Sequence, residues 1–334
     1  MNILVVRRHN QIGDMLCSLP LYRALKKKYP ESSITLVASP TNYSIPFKKI
    51  NPFIDHIIFY DKTSIKTIIN FYKKLRQNKY RLGIVPSTVK VSTTSHIINF
   101  LSGAKLRVGV KSIDGVKNPA AILLNISADF YWVKNKVHQT DRNIQIARLA
   151  GCEFPDEKEN SRLKISQEDL EFSDKFIKRN FPENKKLIIG FHPGAGKSIN
   201  AWSTNNFLNL IEGLYKKYNN YILITCGEID KEVINKIKED LIRRDIKFTI
   251  TENLTILQLA AVLEKTNLYI TNDTGPMHIA AMTNVNQISL ILEANIYEWA
   301  PAGENKYTLK SEPGDINSIK LEDVLALSDK ILMK

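Results

Sequence analysis

LYITNDTGPMHIAAM (residues 268–282) compresses a strand, a turn and the start of a helix into one short stretch. Residues 268–270 form an apolar run that Thr271 extends, as a strand buried on both faces requires. Asp273-Thr274-Gly275 follows as a turn, and Pro276 opens a helix at a position where its missing N–H costs nothing. The unused N–H groups of such a first turn attract an anion. Thr274 adds a hydroxyl donor, and Gly275 lets the backbone close on a ligand. An ordinary capped helix, with Asp273 or Thr274 as the cap, is the competing reading. It accounts for one residue of the string but not for the whole of it with Met277 and His278.

The same unit recurs on either side. Strands are expected at 186–191, 221–226, 248–251 and 287–292, with helices over 204–217, 229–243, 256–264 and from 278. The first half repeats it with strands at 3–6, 34–38, 56–60, 82–85 and 107–110. Its helices are expected over 14–29, 64–77 and 93–101. In the helix over 64–77, Ile65, Ile68, Ile69, Tyr72 and Leu75 share one apolar face. Short apolar strands alternating with helices imply an α/β fold with parallel sheets covered on both faces. The expected architecture is two facing Rossmann-like domains with a cleft between them, spanning 1–165 and 185–315. The charged stretch 156–184, which holds one amphipathic helix, would connect them, and a helix over 321–333, within 316–334, would pack back on the N-terminal domain.

Composition agrees with two domains: 334 residues, 43% hydrophobic and 24% charged, exceed one ordinary core. MNILVVRRHN is too short and too lightly flanked for a signal peptide and reads as a first buried strand. No run nears the roughly 18 apolar residues of a membrane span. Cys17, Cys152 and Cys226 have no CxxC spacing, so neither disulfide nor metal use is expected and a cytoplasmic setting fits. Residues 1–150 carry 24 Lys and Arg against 7 Asp and Glu, net +17, whereas the remainder is −4. The basic half either meets an anionic partner or simply has a lysine-rich surface. No nucleic-acid-binding motif accompanies the charge, so no nucleic acid is expected.

In such sheets ligands bind beyond the carboxyl ends of the strands, so the loops there carry the candidates. After residue 191 comes HPGAGK, where Gly194 and Gly196 let amides approach a phosphate and Lys197 adds charge; a plain tight turn reads equally well. After the first strand comes RRHNQIGD. Gly13 permits a turn, and Asp14 is either a helix cap or a general base among Arg7, Arg8 and His9, a setting suited to an anionic acceptor. Glu228 is placed to bind a ribose or to cap a helix. No Asp-x-Asp pair and no cluster with metal spacing occurs, so neither metal nor cofactor is expected. The apolar stretch 119–133 is expected to be a loop packed into the core, with contact to a membrane surface as the alternative.

Taken together, these segments resemble glycosyltransferase family 9, the lipopolysaccharide heptosyltransferases and their relatives. The likeness runs over most of the chain. It includes ILVVRRHNQIGDMLCSLPLYRALKKKYP (3–30), FLSGAKLRVGV (100–110), HQTDRNIQIARLAG (138–151) and FHPGAGKSINAW (191–202). The most specific part is LTILQLAAVLEKTNLYITNDTGPMHIAAM (254–282). The resemblance implies a GT-B fold and an inverting, metal-independent transfer. The donor would be a nucleotide-diphosphate sugar, typically ADP-heptose, and the acceptor an anionic glycolipid of the lipopolysaccharide core. Asp14 falls on the family's proposed base. Asp273, Thr274, Gly275 and His278 fall on its donor loop, and Glu228 lies near its ribose-binding acid. The remaining expected contacts are Arg7, Arg8, His9 and Gly13 on one side, and His192, Gly194, Gly196, Lys197 and Met277 on the other.

Two departures from the family pattern stand out. Asn200 occupies the position, two before Trp202, where the family commonly has a cation, and the loop RRHNQIGD is one residue longer. An acceptor of this kind implies peripheral, electrostatic attachment to the inner face of the cytoplasmic membrane. A sugar-nucleotide epimerase would need carboxylates gathered around the donor sugar, and no such set is evident. A non-catalytic nucleotide- or glycan-binding protein would have no use for Asp14 beside an intact NDTGPMH loop.

Overall fold

The first strand, β1 (Asn2–Val6), is apolar from Ile3 onward, and those four residues are buried. It can be buried on both faces only at the centre of a covered sheet, and there it lies. The computed structural model describes residues 1–8, 11–40, 47–153, 162–183 and 186–333. They form two units, Met1–Glu159 and Asn160–Lys334.

In the N-terminal unit β1 is followed by α1 (Ile12–Cys17), α2 (Leu19–Lys28), β2 (Ser33–Ala38), α3 (Phe47–Ile50), β3 (His56–Phe59) and α4 (Ile65–Arg76). Then come β4 (Tyr80–Ile84), α5 (Thr93–Leu101), β5 (Leu106–Ile113), β6 (Val116–Lys117), β7 (Ile126–Phe130) and α6 (Gln139–Leu149). The sheet runs β3-β2-β1-β4-β5, with β6 and β7 both pairing with β5. All its pairs are parallel except the β5–β6 hairpin.

The C-terminal unit holds α7 (Gln167–Asn180), β8 (Ile188–His192), α8 (Thr204–Tyr218), β9 (Tyr221–Thr225), α9 (Lys231–Arg243), β10 (Phe248–Thr251) and α10 (Ile256–Leu263). It continues with β11 (Leu268–Asn272), α11 (Gly275–Ala281), β12 (Gln287–Ile291), α12 (Ile296–Trp299), β13 (Lys306–Lys310) and α13 (Leu321–Leu332). Its sheet is parallel throughout, in the order β10-β9-β8-β11-β12-β13. In both units the winding reverses between the first strand and the fourth, at β1/β4 and at β8/β11. The expected α/β class with doubly wound parallel sheets is therefore observed.

Several boundaries differ from expectation. The helix expected over 14–29 is two helices, because Pro20 in a continuous helix would lose the bond to residue 16 at a cost of about 3 kcal/mol. The chain instead restarts at Ser18, whose Oγ donates to Met15 O at 2.7 Å. In α4 the apolar face is rotated: Phe71 and Leu75 are buried, while Ile65 and Ile69 face solvent. Residues 126–130 are a strand rather than a core loop, with burial alternating along β7 as an outer strand demands. A sixth strand, β13, extends the second sheet beyond the strand expected to close it.

The expected helix in the polar stretch is present as α7. Phe172, Phe176 and Ile177 of α7 pack against Phe181, Ile188, Leu223 and Val262, so α7 belongs to the C-terminal unit and covers its core. The last helix packs within its own half. Val324 and Ile331 of α13 join the core formed by α8 and the sheet, and Asp329 accepts from Tyr218 Oη and Lys217 Nζ, both at 2.6 Å.

Candidate functional site

In the N-terminal unit the candidates stand at the switch point between β1 and β4. Arg7 follows β1 directly and is 7% exposed, as is Asp14. Its guanidinium donates to Asp14 O at 2.9 Å and Asp14 Oδ1 at 3.3 Å, and also to Asn143 Oδ1 at 3.1 Å and Pro86 O at 3.4 Å. One arginine thus ties the loop after β1 to the loop after β4 and to α6. A planar fork of donors can hold several acceptors at once, where lysine could not. Asp14 lies in the first turn of α1 with Gly13 before it. Arg7, Arg8 and Asp14 line one concavity with Ser87, Thr88 and Lys90. Arg8 stacks its guanidinium over Tyr60, 5.0 Å from the ring centre. His9 lies outside the described residues.

Sequence reading assigned no role here to Asn143, Arg142 or Lys90. Arg142 is buried and donates to Thr88 O and Val137 O, both at 2.9 Å, so it braces the β4 loop from α6. The adjacent Arg142-Asn143 pair on a helix was the available signal. Cys17, beneath Asp14, is buried, and desolvation pushes its thiol up to about 12, which leaves it inert.

In the C-terminal unit the candidates stand at the β8/β11 switch point. Asn272, fully buried, donates from Nδ2 to Pro193 O at 2.9 Å and Gly194 O at 3.3 Å, and its Oδ1 accepts from Trp202 N at 3.2 Å. It therefore clasps the HPGAG loop to the NDTG loop. Asp273 accepts from Asn295 Nδ2 at 2.8 Å and from Asn200 Nδ2 at 3.4 Å. Burial pushes its carboxyl above the usual carboxylate range, against the pull of Asn295 and of Lys197, which is itself exposed. Asn200 is thus occupied as a partner of Asp273.

The other expected donor-side residues divide into lining and support. Gly196, Thr274 and Gly275 reach solvent, whereas Met277 is fully buried and its carbonyl accepts from Gln287 Nε2 at 2.9 Å. His278 packs edge-on to Trp299, with ring centres 5.7 Å apart. Glu228 is exposed just past β9. His192 is 1% exposed; its Nδ1 meets Thr225 Oγ1 at 2.9 Å and its Nε2 lies 3.7 Å from Asp230 Oδ2. Burial holds its pKa below the ordinary histidine value. Asp230, which sequence reading passed over for Glu228, sits under the loop: it accepts from Gly227 N at 2.9 Å and fills the space where a Cβ on Gly194 would stand. Among the described residues no group of three or more His, Cys, Asp or Glu could hold a metal ion, and no helix is long and apolar enough to cross a membrane.

Proteins of related sequence and fold are known. Lipopolysaccharide heptosyltransferase 3 of Escherichia coli is 23% identical, with 96% of each chain covered. A lipopolysaccharide core heptosyltransferase of Haemophilus influenzae is 24% identical over 89% of this chain and 81% of its own. The solved structure of the E. coli ADP-heptose lipopolysaccharide heptosyltransferase II superposes with a TM-score of 0.80 at 20% identity, covering 100% of this chain and 99% of the other, which shows a common fold. That fold is GT-B, built from two Rossmann-like units. The model of glycosyltransferase family 9 (heptosyltransferase) matches residues 68–326, and the chain belongs to that family of glycosyltransferases.

Proposed function

We propose that this enzyme transfers heptose from ADP-heptose to an anionic acceptor of the lipopolysaccharide core, with inversion at the anomeric carbon. Asp14 is the general base. It takes the proton of the acceptor hydroxyl as that oxygen bonds to the anomeric carbon, while the bond to the diphosphate breaks and ADP departs. Arg7 fixes the Asp14 carboxylate, and Arg8 and Lys90 supply positive charge for phosphate groups on the acceptor. The HPGAG and NDTG loops, with Lys197, receive the diphosphate, and no metal is invoked. Preorganised amides and one cation offset the charge that develops on the leaving group.

The observation that carries this reading is the double placement at switch points. Ligands of doubly wound sheets bind where the strand order reverses. Here the base candidate and the phosphate-loop candidates occupy that position in their respective sheets. The likeness to chains named heptosyltransferases supports the choice of sugar. The excess of +17 in residues 1–150 supports an anionic acceptor and peripheral membrane contact. A panel of ADP-, UDP- and GDP-sugars tests the donor. Thermal protection by ADP-heptose alone is expected, and protection only by a UDP- or GDP-sugar would overturn the heptose assignment.

A further inference from the structure

β5 outruns its neighbour. Its pairing with β4 ends at Val108, yet the strand continues to Ile113 before turning back through Gly115 (φ 85°) into β6. At about 3.3 Å per residue the hairpin projects roughly 17 Å beyond the carboxyl end of β4. β7 runs beside it and ends in a turn closed by Asn135 N on Tyr131 O at 3.0 Å and Val137 N on Trp132 O at 2.9 Å. The Asp114 carboxylate joins the two segments, accepting from Val133 N at 3.1 Å and Lys134 N at 3.2 Å. Trp132 anchors them: it is 1% exposed, stacks on Phe130 and donates to Gln145 Oε1 at 2.7 Å. The projection is well braced.

What it presents to solvent is apolar and basic. Val116 is 66% exposed, Tyr131 51% and Val133 59%, with Lys117 and Lys134 exposed among them. The nearby acids are engaged: Asp114 by the two amides, and Asp129 by Ser112 and Lys111. Three side chains are too few for a stable protein interface of about 800 Å² per partner. They suit shallow insertion into a bilayer, with tyrosine at headgroup depth and lysines against anionic headgroups. The tip rises from the sheet edge that also carries Asp14 and the β4 loop. Ile65, 77% exposed at the start of α4 after β3, stands at the far side of that same edge.

We infer that the carboxyl edge of the N-terminal sheet docks on an anionic lipid surface through the tip at 116–117 and 131–134, so that an acceptor held in that surface is presented to Asp14. The purpose of the docking rests on the proposed transfer; the docking itself is measured without it. The test is flotation of the full chain with vesicles of phosphatidylglycerol and phosphatidylcholine, against phosphatidylcholine alone. Wild type binds only the anionic vesicles. Lys117→Glu/Lys134→Glu lowers partition at least about tenfold. Lys79→Glu/Lys105→Glu, the same charge change on exposed residues preceding β4 and β5 at the opposite sheet edge, retains binding. Equal losses in the two variants, or no binding by wild type, would overturn the inference. Tyr131→Trp adds a probe at the tip: its emission shifts to the blue on anionic vesicles and is quenched by brominated lipid, and an unshifted spectrum would refute insertion. If vesicle binding persists while no acceptor is glycosylated, docking stands and the transfer reading fails.

Discussion

Arg7 holds Asp14 at two points, the main-chain oxygen at 2.9 Å and the carboxylate at 3.3 Å, with both residues buried. A carboxylate so fixed cannot swing with the solvent, and its orientation depends on a residue seven positions earlier in the chain. Asp14→Asn keeps a side chain of nearly the same shape but cannot accept the acceptor proton. Transfer should fall by about 10²–10⁴ while donor affinity is unchanged. A variant that keeps wild-type turnover would remove Asp14 from the mechanism. Arg7→Met should lose activity and also stability, by roughly 3–5 kcal/mol, because a buried carboxylate is left without its partner.

The two glycines of the HPGAG loop should respond differently to alanine. At Gly194 the added methyl collides with the Asp230 carboxylate, which is itself held by Gly227 N. Overpacking of this kind costs about 1–3 kcal/mol. At Gly196 nothing lies within 4 Å of an added Cβ, so Gly196→Ala should stay within about 0.5 kcal/mol of wild type. Urea unfolding of both variants decides this, and equal losses would contradict the packing described.

Acid should weaken the fold through its buried histidines. Burial depresses His192 and His96 below the ordinary value of 6.5. A histidine kept neutral in the native state binds fewer protons than the unfolded chain does. The stability it contributes is therefore present above about pH 6.5 and declines as pH falls towards the folded value, by up to about 1.4 kcal/mol per unit for each group. His192→Asn should be less stable at pH 7.5, because Thr225 and Asp230 lose a neighbour, yet show a shallower decline between pH 7.5 and 5.5. Parallel profiles for the two proteins would rule His192 out as a source of the slope.

Lys306, on the strand that sequence reading missed, gathers three carbonyls: Ala280 O and Thr283 O at 3.0 Å and Val285 O at 2.6 Å. These belong to the end of α11 and the segment that follows it. Lys306→Met conserves bulk but leaves the carbonyls unmatched, and should destabilise by about 1–3 kcal/mol. Hydrogen exchange at 280–285 should rise more than in α8; a uniform change would deny the local role.

The apolar strands around Ile3–Val6 and Leu268–Thr271 were legible because a strand buried on both faces leaves a continuous signature in the chain. β7 and β13 were not, since outer strands mix polar and apolar residues and ISADF or KYTLK resembles loop composition. The rotated face of α4 escaped for a related reason: periodicity marks an apolar stripe, but only packing decides which side of it is covered. The Asp14 and NDTG loops were readable as βα turns with special residues. Asn143, Arg142 and Asn272 have roles set by partners far away in sequence, namely Arg7, Thr88 and Pro193, and the Arg142-Asn143 pair on α6 marks two of these residues without recording what they hold.

The position of α7 settles where the second half of the chain begins as a physical object. A fragment cut just before β8 would contain every loop of its sheet yet leave Leu223 and Val262 without the cover that Phe172, Phe176 and Ile177 provide. The self-sufficient piece starts some twenty residues earlier, in a stretch whose charge makes it look like mere tether. Heredity would have to respect the same boundary: any exchange of halves between relatives must carry this helix with the sheet it shelters.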